Sequence, residues 1–85
     1  MYNQTIEIIK LGRYIKENSN ILEVSLYKAM EFHNDNRDLR DLSVKEKVDY
    51  IKKSMLTYHN GEILYYVELI DTIQGLVEMH QSMLM

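Results

Sequence analysis

The chain has no cysteine, no proline and no tryptophan, and only three glycines in 85 residues. Without cysteine there are no disulfides, no thiolate metal sites and no thiol nucleophile. The same lack fits a reducing compartment. Without proline, and with glycine scarce, a fold of many tight turns is disfavoured and long helices are favoured. Long hydrophobic runs are also missing. The longest is Ile63-Leu64-Tyr65-Tyr66-Val67, against the ~20 apolar residues that a membrane-spanning helix needs. Near the N-terminus Glu7, Lys10 and Arg13 interrupt any basic-then-apolar leader pattern, so a cytoplasmic protein without membrane contact is expected.

What is present describes a folded chain. Apolar residues make up 46% and charged residues 27%, too apolar for disorder. The length suits one domain, residues 1–85. A chain this short buries only about 60–65% of the surface its unfolded form exposes. Small domains compensate with disulfides, metals or self-association, and here self-association is the remedy left open.

The net charge of −3 hides an asymmetry. Residues 37–53 carry six basic against four acidic side chains, whereas residues 54–85 carry four acids and no Lys or Arg. A basic middle is followed by an acidic tail.

Hydrophobic periodicity predicts helices. Ile8, Leu11 and Ile15 define a first helix over 4–17, with a short strand over 5–11 as competitor because Thr5-Ile6-Glu7-Ile8 alternates. Asn18-Ser19-Asn20 reads as a break. A second helix over 21–33 places Leu22, Leu26, Ala29 and Met30 on one face. The polar stretch 34–42 reads as a connection pinned by Leu39 and Leu42. Ser43-Val44-Lys45-Glu46 is a capping-box pattern opening a third helix, with Val44, Val48, Ile51 and Met55 on one stripe to about Tyr58. Asn60-Gly61 is a left-handed helix stop. The same dipeptide is a hairpin signal, which would make residues 62–69 a strand. A helix over 63–85 is preferred because polar and apolar side chains sort onto opposite sides of the wheel well past Asp71. The predicted fold is an all-α bundle of three to four helices.

Catalytic and ligand-binding patterns are absent. His33, His59 and His80 form no HxxxH or ExxH pair, the spacing that places a histidine and a second ligand on one helix face. Residues 34–46 lack the glycine and the ligand order of a calcium loop. The isolated Gly12, Gly61 and Gly75 build no phosphate cradle, and no serine stands in a glycine-flanked elbow. A non-enzyme without cofactor or metal is expected.

Two contact surfaces are expected instead. The last helix is apolar over about 200° of its wheel, wider than the ~100° of a single core stripe. Ile63, Tyr66, Ile70, Ile73, Val77 and Leu84 form one seam, and Leu69, Leu76 and Met83 a second, with His80 at the edge. One seam is expected to face the bundle and the other a partner, giving a homodimer through the C-terminal helix. Seven tyrosines and six methionines suit such a surface. Arg37, Arg40, Lys45, Lys52 and Lys53 form the second surface, for an acidic partner or nucleic acid. Interleaved Asp38, Asp41, Glu46 and Asp49 and the acidic chain argue against DNA. The expected function is a small regulatory or adaptor protein that binds and modulates another protein. The alternative is a DNA-binding transcriptional regulator using residues 37–53. In general character only, with no motif to carry it, the chain resembles small effector proteins of bacteria and their phages.

Overall fold

A computed structural model describes residues 4–56 and 63–83, with side chains over 6–56 and 67–83. Four helices follow one another: α1 (Gln4–Glu17), α2 (Ser19–Phe32), α3 (Val44–Leu56) and α4 (Ile63–Met83). No strand occurs among the described residues, so the fold is a small all-helical bundle. Residues 5–11 are helical and not a strand, and residues 63–69 are helical and not the second arm of a hairpin. The Asn60-Gly61 stop lies outside the described residues.

Each helix touches the other three. Their apolar stripes meet in one cluster: Ile8, Leu11 and Ile15 from α1, Leu22, Leu26 and Ala29 from α2, Val48, Ile51 and Met55 from α3, and Leu69, Ile70, Ile73 and Val77 from α4. Ile15, Ala29, Ile51, Met55, Leu69 and Ile73 have no exposed surface. Leu39, from the α2–α3 connection, is buried with them, and Leu42 packs against the edge. Val44, expected on the core stripe, is instead 47% exposed. It is the first residue of α3, where the helix has not yet reached the core. Ser25 is the discordant core member: its hydroxyl is buried and has no hydrogen-bond partner among the described residues.

The break between α1 and α2 is Asn18 alone, because Ser19 and Asn20 already belong to α2. Asn18 has extended backbone angles, and its carbonyl accepts from the Leu22 amide at 2.9 Å. Its side chain does not cap α2; the amide nitrogen donates back to the Tyr14 carbonyl at 2.8 Å, serving the end of α1. One residue thus closes one helix and opens the next.

Helix α2 ends in a Schellman motif. Asn34 takes the left-handed conformation (φ 51°) that more often falls to glycine. The Asp35 amide donates to the Met30 carbonyl at 2.9 Å and the Asn34 amide to the Glu31 carbonyl at 3.2 Å. Asn tolerates this conformation better than other non-glycine residues, which is why the polar run can begin here without a glycine.

The capping box at the start of α3 is formed as expected. The Glu46 amide donates to Ser43 Oγ and the Ser43 amide to Glu46 Oε1, both at 3.2 Å. A further tie crosses to α2: Lys47, only 9% exposed, places its ammonium 2.8 Å from Glu23 Oε1 while its stem lies against the core. Ser43→Ala removes the cap and is expected to destabilise the fold by about 1 kcal/mol. Urea unfolding of the two proteins measures the difference, and coincident curves would show that the box contributes nothing.

Candidate functional site

The sequence groups the cations of residues 37–53 as one surface, but the structure separates them. Arg37 and Arg40 are each held by the aspartate two residues before. The Arg37 amide donates to Asp35 Oδ1 at 3.0 Å, and its guanidinium to the two carboxylate oxygens at 2.9 and 2.6 Å. Arg40 repeats this on Asp38, with an amide bond of 3.0 Å and guanidinium bonds of 3.0 and 2.8 Å. A tandem Asp-x-Arg pattern, Asp35-Asn36-Arg37-Asp38-Leu39-Arg40, therefore folds as two consecutive turns, each closed by its own ion pair. This repeat is visible in the sequence; its three-residue period is too short to stand out as a repeat until both turns are seen closed.

The first turn is anchored to α3. The Tyr50 hydroxyl donates to Asp35 Oδ2 at 2.8 Å. Hydrogen bonds from Arg37 and Tyr50 hold the Asp35 carboxyl well below the usual carboxylate range, and the Arg40 side chain lowers Asp38 to about 2. Burial, then the bond to Asp35, pushes the Tyr50 hydroxyl up to about 12. Arg37 and Arg40 are committed to these carboxylates, so they are poor candidates for an outside anion. Lys53 stands apart, beside a shallow hollow of about 270 Å³ lined with His33, Asp35, Arg37, Tyr50 and Ser54.

Lys45 and Lys52 face a different way. Together with Arg13 and Lys16 of α1 they line a groove of about 310 Å³ between α1 and α3, completed by Ile9, Gly12, Val48 and Asp49. None of the four cations has an ion pair among the described residues. Gly12 leaves room for the Lys52 side chain. A Cβ built there would stand 2.9 Å from Lys52 Cδ, so the missing side chain is the space that the lysine stem fills. Helical spacing accounts for the rest. On α1, Ile9, Arg13 and Lys16 form a stripe beside the core stripe Ile8, Leu11 and Ile15; on α3, Lys45, Asp49 and Lys52 flank Val48 in the same manner. The same two stripes carry Ile6 and Leu56, 47% and 44% exposed. The sequence reading missed Arg13, Lys16 and Ile9. Their border position on the α1 wheel was legible, but not the fact that α1 lies against α3.

The surface expected on the C-terminal helix is largely spent inside the molecule. Leu69, Ile70, Ile73 and Val77, drawn from both seams, are buried in the core, and Leu76 packs against it. The reason is that α4 meets three helices, so a wide apolar arc finds cover within one chain. His80 is half-buried, with Nδ1 hydrogen-bonded to the Tyr14 hydroxyl at 2.6 Å and the rings edge-to-face. Met83 is 78% exposed and Met79 61%. The side chains of Ile63 and Tyr66, and Leu84 entirely, lie outside the described residues.

No group of three or more metal-ligating side chains occurs among the described residues, and no helix there is long and apolar enough to cross a membrane. Comparison with protein families, curated proteins and solved structures finds no match.

The lowered Asp35 and Asp38 have a consequence in acid. A carboxyl whose folded pKa is depressed stabilises the fold above its ordinary pKa near 4, and that contribution is lost as pH falls toward and below 2. Replacing both residues by asparagine should therefore cost stability at pH 7 and cost less at pH 2, where Asp38 has lost part of its charge and Asp35 keeps most of its own. Denaturant unfolding at the two pH values tests this; an equal loss at both would mean that the charge is immaterial.

Proposed function

We propose that this chain is a small, non-catalytic protein that acts by binding another protein, in the manner of a regulator or adaptor. The observation that carries the reading is the groove between α1 and α3, where apolar Ile9 and Val48 sit with four cations that form no ion pair among the described residues. A cluster of four cations departs locally from the negative charge of the chain, and a groove mixing them with apolar surface suits a protein partner. DNA recognition through residues 37–53 has weaker support, since Arg37 and Arg40 are occupied by Asp35 and Asp38.

The immobilised chain is expected to retain a specific protein from cells that express it. Retention should survive nuclease and be competed by free chain. Retention that disappears with nuclease, joined to a salt-sensitive DNA gel shift lost in Lys52→Glu/Lys53→Glu, would replace this reading with the DNA-binding one.

Self-association through α4 is a second reading, favoured by the exposure of Met79 and Met83 one turn apart. The surface concerned is much smaller than the paired seams alone suggest. Light scattering at micromolar concentration is expected to give about twice the chain mass of 10.2 kDa, and Met79→Glu/Met83→Glu should halve it. A wild-type mass equal to one chain would end this reading.

A further inference from the structure

We infer that the groove between α1 and α3 takes an acidic, partly apolar peptide segment of the partner protein. This rests on the binding-protein reading above and names the chemistry of the site. Charge selects the ligand's sign: Arg13 and Lys16 on one wall and Lys45 and Lys52 on the other have no ion pair among the described residues, so carboxylates placed between them find several cations at once. The floor selects the rest. The Lys52 stem lies over Gly12, and beside it Ile9, 45% exposed, offers apolar surface that a purely ionic ligand would leave wet.

Three features favour a peptide over nucleic acid in the same groove. Among the described residues no aromatic side chain lines it to offer a platform for base stacking. Asp49 stands among the cations, where a continuous phosphate backbone would meet it but a peptide can present an amide or a hydroxyl. The chain as a whole carries −3, which weakens long-range attraction to a polyanion.

The test uses the full chain and three labelled probes in fluorescence anisotropy: a peptide with Leu and Glu at helical spacing, an oligoglutamate of equal charge, and a single-stranded oligonucleotide. The Leu/Glu peptide is expected to bind tightest, and to weaken about tenfold or more when salt rises from low to several hundred millimolar. Lys45→Glu/Lys52→Glu should weaken it by a similar factor. Arg13→Glu/Lys16→Glu should do the same from the α1 wall, where both side chains are exposed. Ile9→Ser should weaken the Leu/Glu peptide and leave oligoglutamate unchanged. Oligoglutamate binding as tightly as the peptide would remove the apolar half of the inference. An oligonucleotide that binds tighter and displaces the peptide would overturn it, as would unchanged affinity in both charge-reversal variants. The two readings fail separately. If the charge-reversed chain still retains its cellular partner, the groove is not the docking site but the protein remains a binding protein. If the wild type retains none yet binds the peptide through the groove, the site stands and the regulatory reading falls.

Discussion

Burial of one apolar face from each of four helices is the constraint on which everything else depends. With no cysteine for a cross-link, the fold is held by side chains such as Ile15, Ile51, Leu69 and Ile73, none of which has exposed surface. Each is worth roughly 1.5–3 kcal/mol on burial, and truncation of such a side chain to alanine typically costs about 2–5 kcal/mol. Domains of this kind are stable by only about 5–15 kcal/mol in total. The chain therefore has little surplus, and every helix is committed to the shared core. That commitment explains why α4, with the widest apolar arc, turns most of it inward.

The polar connection serves the same core. Between α2 and α3 the backbone must cross from one helix to the next without a ladder to satisfy it. Asn34 ends α2, Asp35 and Asp38 each accept a backbone amide and a guanidinium, and Ser43 opens α3. Leu39, the middle residue of the second closed turn, is buried, while Tyr50 ties Asp35 to α3. Exposed ion pairs of this kind are weak individually. Their role is to fix local geometry so that Leu39 reaches the core.

Charge is distributed by the same logic. Asp35 and Asp38, each two residues earlier, satisfy Arg37 and Arg40, and Glu23 satisfies Lys47. The cations of α1 and α3 that border the core, Arg13, Lys16, Lys45 and Lys52, form no ion pair among the described residues, although Glu17, Glu46 and Asp49 lie within a turn of them, and they line one groove between the two helices. A groove with unspent positive charge results from helix packing in a chain that is negative overall. The binding role proposed here depends on that local excess and not on net charge.

Helix type, approximate bounds and most of the core could be read from residue order, because helical periodicity, capping chemistry and apolar burial are local properties. Ile8, Leu11, Ile15, Leu26, Ile51 and Met55 lie where their spacing places them, and Ser43 and Glu46 close the cap their spacing predicts. Two local features were harder to read. Ser19 and Asn20 resemble cap residues but continue the helix, since a single extended Asn18 is enough to turn the chain. The Asp-x-Arg turns need both partners seen bonded before their charges can be discounted. Which apolar seam faces inward, and which cations share a groove, were decided only by tertiary packing. Both depend on how helices distant in sequence lie against one another, and periodicity within one helix says which face is apolar but not how many neighbours will cover it.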